Sequence, residues 1–225
     1  MANADFRISS NLDAGEEVKT GRPLLRRAVA FFGMAPSPLR PVLFFAPIDV
    51  CILYYCYAQG IPLTTITVAF SSGFLIWTLA EYLLHRFLFH SSPHSPRMRR
   101  LIDYLHIHHH KEPLVPPSNV VPIWTMIVLS IAGILLLWPV LQSFYTALLT
   151  FTGFGVGYLC YESSHYIMHL ALLREKVWPA WAACHLDHHF ANARMNFGVS
   201  SSFWDRVFFT YSRPEKHATV EPIRS

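Results

Sequence analysis

Two long stretches of the chain carry almost no charge, and they constrain the fold more than any other feature. Among all Asp, Glu, Lys and Arg residues, only Asp49 falls within residues 41–80, and none falls within residues 113–161. A membrane-spanning helix needs about 20 predominantly apolar residues, so each stretch is long enough for two such helices joined as a hairpin. Only 14% of the residues are charged, against roughly a quarter in soluble domains, which disfavours an ordinary cytosolic domain.

Hydropathy divides the two stretches into predicted spans at residues 41–58, 63–80, 121–138 and 142–161. The turns inside the hairpins, at residues 59–62 and near Pro139, contain no Lys or Arg, whereas basic residues flank the other ends of both hairpins. Because Lys and Arg favour the cytoplasmic side, we expect both chain termini and the segments after each hairpin to be cytosolic. The sequence therefore predicts an all-α integral membrane protein of four transmembrane helices with a cytosolic helical cap.

The ends of the chain have a different composition from this membrane domain, which is predicted to cover residues 41–211. Residues 1–21 are polar and mixed in charge, which predicts a disordered tail. Residues 22–40 place arginines beside apolar side chains, as in a basic interfacial helix, although a solvated linker with scattered arginines fits the same pattern. Residues 212–225 are predicted to be a flexible tail.

Histidine is the second unusual feature, because 12 of the 13 histidines fall within residues 85–189 and none lies inside a predicted span. In each half of the chain, a hairpin is followed by two histidines and then, 16 positions later, by a cluster of three more. The halves are offset by 80 residues for the first histidine and by 79 for the others. This spacing indicates a parallel internal duplication. The repeated set is His85, His90, His106, His109, His110, His165, His169, His185, His188 and His189.

The spacing within the set indicates metal ligation. Neutral imidazole is a ligand for Zn, Cu, Fe and Ni, and His165 and His169 lie four residues apart on one helical face. We call each cluster of three histidines a triplet. Its second and third members follow the first by three and four residues, so they lie on either side of the first around a helix, and each triplet can serve two neighbouring metals. His85 and His90 are five residues apart, which requires either a local helix distortion or two separate metals.

Ten imidazoles suit two metals with about five protein ligands each, and this leaves room for an exogenous oxygen ligand. A mononuclear facial triad would need only two histidines and a carboxylate, and a bis-histidine haem would need histidines inside the spans. The four cysteines have no paired spacing, so neither a disulfide framework nor a cysteine-based zinc site is expected. The pattern favours a non-haem site in which two irons share the electrons that split dioxygen.

Carboxylates lie close to the histidines in the sequence. Glu81, Glu162 and Asp187 each fall within four residues of a repeated histidine. Since ligating imidazoles usually donate their other N–H to a carboxylate or carbonyl, we predict that these three side chains orient the ligands. Ordinary solvation of helix ends is the alternative role.

These motifs resemble those of the membrane fatty acid hydroxylase and sterol desaturase superfamily, and within it those of fatty acid 2-hydroxylases. The resemblance covers about residues 41–210. It rests on EYLLHRFLFH (81–90), HIHHH (106–110), GYLCYESSHYIMH (157–169), HLDHH (185–189) and FGVSSSFWDRVFFT (197–210). The superfamily's ligands match all ten repeated histidines, so the resemblance implies that these are the catalytic metal ligands.

The resemblance implies a diiron monooxygenase that uses O2 to hydroxylate a lipid acyl chain, at the 2-position of a free fatty acid or a sphingolipid. It implies electrons from a small cytochrome and its NAD(P)H reductase. These are expected to be separate proteins, since no haem-binding domain precedes the spans; no nucleic-acid partner is expected. Zinc can replace iron in recombinant protein, because imidazole sites bind Zn²⁺ tightly. The host membrane would be the endoplasmic reticulum of a eukaryote or the inner membrane of a bacterium.

Two other functions stay open. A sterol or carotenoid ring hydroxylase or desaturase of the same superfamily would use the same histidines. A non-catalytic membrane metal carrier would use them as transport sites, but it should line its spans with ionisable groups, and the third and fourth predicted spans contain none. The aromatic segment at residues 197–209 can line an acyl-chain opening or act as an interfacial anchor.

Overall fold

The regular structure is entirely helical in the residues that the computed structural model describes, which are 38–111, 121–170 and 179–213. This confirms the all-α prediction for those residues. The predicted N-terminal tail, residues 214–225 of the predicted C-terminal tail and most of the predicted interfacial helix at residues 22–40 lie outside them. The helices are α1 (Leu39–Ala58), α2 (Leu63–Leu83), a π-helical segment (Leu84–Phe89), α3 (Pro96–Ile102), a second π-helical segment (Asp103–Ile107), α4 (His108–Lys111), α5 (Ile123–Leu141), α6 (Phe144–His169), α7 (Pro179–Phe190) and α8 (Phe203–Val207).

Three helical stretches in the described part are long and apolar enough to cross a membrane, namely Leu39–Ala58, Leu63–Phe89 and Ile123–Leu141. The fourth predicted span, residues 142–161, falls in α6, which continues to His169. Helix α6 is less apolar than the other three, because glycine, threonine and tyrosine recur along it. Its neighbours explain this composition, since α6 packs against α1, α2 and α5 and so leaves less of its surface uncovered.

The contact between α2 and α6 is the most extensive one in the bundle, and glycines allow it. A Cβ atom on Gly73 would lie 1.8 Å from the carbonyl oxygen of Thr150, and one on Gly153 would lie 2.0 Å from that of Phe70. Small residues let the backbones of membrane helices approach closely. Any larger side chain at either glycine would force the two helices apart.

The same contact is symmetric with respect to the internal duplication. Gly153 follows Gly73 by 80 residues, and Thr150 follows Phe70 by 80 residues. The contact of Gly73 with Thr150 and that of Gly153 with Phe70 are therefore equivalent when the two halves of the chain are exchanged. Trp77 packs on Gly157, which is its own equivalent at that offset, with the Trp77 Cβ 2.8 Å from the position of a Cβ on Gly157. These contacts require α2 and α6 to run in the same direction around a pseudo-two-fold axis, in agreement with a parallel duplication.

Candidate metal centre

The ten repeated histidines lie together in two groups of five, around the C-terminal end of α6 and just beyond that of α2. Within each group, one ring nitrogen from every residue lies within 4.8 Å of those of the others. We call the first group site A; it consists of His85, His90, His106, His110 and His188. The second group is site B; it consists of His109, His165, His169, His185 and His189.

Each site draws four histidines from one half of the chain and one from the other. His109 leaves the first triplet for site B, and its equivalent, His188, leaves the second triplet for site A. Exchanging the two halves about the pseudo-two-fold axis therefore converts one site into the other. The triplets serve two sites because their members point to opposite sides of a helix.

A change in helix type brings His85 and His90 into the same site. Leu84–Phe89 is π-helical, and the backbone N–H of His90 donates to the carbonyl of His85 at 3.3 Å. Of the two arrangements that the sequence left open for this pair, the local distortion is the one found. The second π-helical segment, Asp103–Ile107, contains His106. Such π-bulges occur frequently at functional sites.

The Nε2 atoms of site A face one another. That of His106 lies 3.0 Å from His85, 3.2 Å from His90 and 2.8 Å from His110. That of His188 lies 3.0 Å from His90. A neutral imidazole has a single N–H, so five converging Nε2 atoms cannot all be satisfied by one another. The donor set fits a shared cation.

Site B repeats this arrangement. The Nε2 atom of His185 lies 2.8 Å from that of His169 and 3.1 Å from that of His189. The Nε2 atom of His165 is buried and has no hydrogen-bond partner among the described residues. Leaving a buried polar atom unsatisfied costs roughly 1–3 kcal/mol, and a metal ion in the site would remove that cost. Site B therefore also fits a metal.

Burial keeps the imidazoles outside the spans in the neutral form that binds metals. Burial, and then the neighbouring histidines, lower the pKa of His110 to about 2. Burial lowers the pKa of His188 to about 4, although its hydrogen bond to the carbonyl of Met195 opposes the change. Burial and the neighbouring imidazoles also lower the pKa values of His185 and His189. No proton has to be removed for these rings to bind a cation at neutral pH.

Two imidazoles of site A have backbone carbonyls as partners for their other nitrogen. Nδ1 of His85 donates to the carbonyl of Phe197 at 2.5 Å, and Nδ1 of His188 donates to that of Met195 at 2.7 Å. A carbonyl can only accept, so both rings carry their proton on Nδ1 and present Nε2 as a lone pair. These carbonyl partners cannot be identified from the sequence, because backbone groups leave no trace in a motif.

The carboxylates proposed from the sequence lie close to the sites. Glu162 accepts from the hydroxyl of Tyr158 at 2.8 Å, and Asp187 accepts from the side-chain amide of Asn196 at 3.0 Å. Their role in orienting the histidines stays a prediction.

Glu81 binds a backbone segment that follows α7. Its carboxylate accepts from the backbone N–H of Val199 at 2.6 Å and from that of Ser200 at 2.7 Å. It also accepts from the hydroxyl of Ser200. Any effect of Glu81 on a ligating imidazole would therefore pass through this segment.

Asp205 is a further polar residue near site A, and it is absent from the carboxylates predicted from the sequence. Its side chain is fully buried and accepts from the backbone N–H groups of Phe197 and Gly198, each at 2.8 Å. The hydroxyl of Thr210 donates to it at 2.8 Å. The only available signal was its position in the FGVSSSFWD motif.

A cavity of about 410 Å³ extends from site A into the bundle between α1, α2, α5 and α6. Its lining is predominantly apolar, and Glu81, His85 and Glu162 lie at its site A end. The cavity follows α6 from Leu148 to Glu162, about 21 Å at about 1.5 Å of rise per residue. These dimensions suit one extended hydrocarbon chain.

The aromatic segment at residues 197–209 divides between two environments. Phe197 is buried, with its ring centroid 5.8 Å from that of His85 and 5.4 Å from that of His188. Phe203 and Phe209 are exposed. Among the described residues that line the cavity, none comes from this segment.

Comparison with known proteins gives consistent matches. Residues 70–210 match the family described as fatty acid hydroxylase. The chain is 29% identical over 223 residues to the ceramide very long chain fatty acid hydroxylase of Saccharomyces cerevisiae, covering 96% of this chain and 57% of that protein. It is 32% identical over 174 residues to a dihydroceramide fatty acyl 2-hydroxylase of Arabidopsis thaliana, covering 73% and 69%. It is 33% identical over 171 residues to the fatty acid 2-hydroxylase of Rattus norvegicus, covering 68% and 42%.

One solved structure has a similar fold. This is full-length scs7p with only its hydroxylase domain visible; it matches with a TM-score of 0.67 and 30% identity over 83% of this chain and 70% of that one. The chain thus spans 57% of the yeast protein and 42% of the rat protein.

Proposed function

Because this chain belongs to the fatty acid hydroxylase family, we propose that it is a membrane monooxygenase that hydroxylates a lipid acyl chain at the 2-position. The observation that carries this proposal is the pair of five-histidine sites next to an apolar cavity. The names of the yeast and Arabidopsis relatives include ceramide and dihydroceramide substrates, which supports an acyl group of a sphingolipid or a free fatty acid as the substrate.

The ten histidines would hold two metal ions, one in site A and one in site B, and we propose that both are iron. When bound, two irons would supply the electrons and the oxidising power needed to activate O2 against an unactivated C–H bond. The chain contributes nitrogen ligands already held in the neutral form.

The apolar cavity would bind the hydrocarbon chain, with the carbonyl end near His85 and the methyl end toward Leu148. Its walls would hold the carbon next to the carbonyl beside site A. They would also exclude water from the reacting atoms.

We further propose that α6 is the fourth membrane span and that the histidines face the cytosol. The distribution of basic residues supports this topology, because Lys and Arg are absent from the turns within both hairpins. A small cytochrome and its NAD(P)H reductase would then deliver electrons from the cytosolic side. The host membrane would be the endoplasmic reticulum or a bacterial inner membrane.

Lipid analysis of cells with and without the protein tests the reaction. Cells that express the wild type together with an electron donor should contain new 2-hydroxy acyl lipids, detectable by mass spectrometry. His109→Ala and His188→Ala, which remove one ligand from each site, should abolish the product. His94→Ala is the matched control, because His94 is exposed and belongs to neither site.

Metal content provides a second test. The purified wild type should hold two metal ions per chain, and each of the two ligand variants should lose the ion of its own site. A wild type with fewer than one ion per chain would contradict the proposal. New hydroxyl groups on a sterol or carotenoid, with unchanged acyl chains, would instead favour a ring hydroxylase of the same superfamily.

A further inference from the structure

Residues 195–200 form a backbone segment that crosses site A, and we call this segment the strap. Its carbonyls at Met195 and Phe197 accept the Nδ1 protons of His188 and His85. The strap therefore fixes the orientation of these two imidazole rings and keeps their Nε2 atoms directed into the site. Both of these ligands belong to site A.

Two buried carboxylates hold the strap from the opposite direction. The four consecutive backbone N–H groups of residues 197–200 donate in pairs, the first two to Asp205 and the next two to Glu81, at 2.6–2.8 Å. Asp205 is 0% exposed and Glu81 is 4% exposed. Each acid accepts two of the four N–H groups, and losing either acid would leave buried N–H groups unsatisfied, which is unfavourable, so the two acids define the position of the strap.

Tight packing leaves the strap little room to move. A Cβ atom on Gly198 would lie 2.1 Å from the carbonyl oxygen of Ser201 and 2.8 Å from the carboxylate of Asp205. Asn196 adopts a φ of 57°, a left-handed conformation that asparagine tolerates, and its side chain donates to Asp187 in α7. The strap is thus connected at one end to the helix that carries His188 and at the other to Glu81 in α2.

We propose that Asp205 and Glu81 are positioning residues for the metal of site A, and that they act through the strap on His85 and His188. This inference rests on the proposed function in that it requires both sites to hold a metal. Groups that orient a metal-bound histidine typically contribute 10–100-fold to metal affinity. Because the imidazole contacts of the strap are in site A, loosening the strap should weaken that site selectively.

Metal release from the purified, metal-loaded full-length protein tests this proposal without measuring activity. Zinc released into an excess of chelator is followed over time with a zinc-sensitive dye. His90→Ala and His169→Ala assign the release from site A and site B, since each removes one ligand from one site. Asp205→Asn should accelerate release from site A by roughly 10–100-fold and leave release from site B unchanged.

Two further variants separate positioning from general destabilisation. Thr78→Val removes the hydrogen bond of 3.1 Å from the indole of Trp204, which ties α8 to α2 without contacting the strap, and it should leave both release rates unchanged. Glu81→Gln keeps the size of the side chain but weakens the other anchor, so it should reproduce the selective effect on site A. It also provides the test if Asp205→Asn does not fold.

The possible outcomes separate this inference from the proposed function. Equal acceleration at both sites in the Asp205 and Glu81 variants, or no change at either site, would overturn the positioning role. A wild type that retains no zinc in either site would overturn the two-metal function, and this inference with it.

Discussion

Gly155 lies where a side chain would enter the cavity without disturbing the helices. It lines the cavity, and a Cβ atom added to it would have no neighbour within 4 Å. Gly153 and Gly157, on either side of it in α6, instead pack directly against α2. Gly155 is seven residues from Glu162 at the site A end of the cavity, about 10 Å at about 1.5 Å per residue. A larger residue there would block the cavity about halfway along its length.

We predict that Gly155→Leu shortens the acyl chains that the protein accepts. The four carbons of the leucine side chain would displace about four methylene groups of a long substrate, at about 0.8 kcal/mol each, which totals about 3 kcal/mol. The kcat/KM for chains that extend past residue 155 should therefore fall roughly 100-fold. Shorter chains should react as before. The fold should tolerate the change, because leucine favours a helix more than glycine does, by up to about 1 kcal/mol.

A competition assay measures this selectivity directly. Short and long acyl substrates are offered together to the wild type and the variant, and the ratio of 2-hydroxylated products is determined by mass spectrometry. Gly155→Ala is the matched control, since a single added carbon should change the ratio much less. An unchanged ratio in an active Gly155→Leu protein would refute the assignment of this cavity to the acyl chain, as would an equal loss of all products with both metals retained.

Three further predictions concern the bundle, the sites and the surface. Gly153→Val should lower stability in thermal unfolding in detergent by about 1–3 kcal/mol or more, because its Cβ atom would lie 2.0 Å from the carbonyl oxygen of Phe70. His109→Ala should release the metal of site B and leave that of site A, as measured by elemental analysis, although the other histidines of its triplet serve site A. Lys111→Ala should lower the free energy of unfolding by less than about 1 kcal/mol and leave the hydroxylated product unchanged. The reason is that the ion pair of Lys111 with Asp103, at 2.5 Å, lies on the surface with side chains 60% and 51% exposed.

The features that the sequence predicts well are those that depend on local patterns. Stretches with almost no charge predict the three helices that are long and apolar enough to cross a membrane, because a span requires about 20 apolar residues in a row. The histidine spacing identifies the ten residues of the two sites, because three- and four-residue separations place side chains on neighbouring helix faces. His85 and His90 mark the limit of this reasoning. Their five-residue separation fits no regular α-helical face, and only the π-helical backbone of Leu84–Phe89 shows how one site takes both.

The features that were missed depend on contacts between distant parts of the chain. The hydrogen bonds of Glu81 to the strap join residues more than 100 positions apart, and Asp205 is a single carboxylate without a repeated partner. The central position of α6 also follows from packing, which hydropathy does not report. The sequence does contain one signal of this packing. Gly73 and Gly153 share the 80-residue offset of the first histidines, so the pseudo-two-fold contact is encoded in the same repeat.

The exchange of His109 and His188 between the sites has a physical consequence for the duplicated fold. Since each site takes four histidines from one half and one from the other, neither half can complete a five-ligand site alone. A symmetric dimer of one half would share ligands across its interface in the same way. The duplication nevertheless has one clear asymmetry on its axis, because the equivalent positions are occupied by Trp77 and Gly157. The indole packs onto the glycine and also lines the cavity, so the two halves contribute unequally to the space beside site A while contributing equally to the two sites.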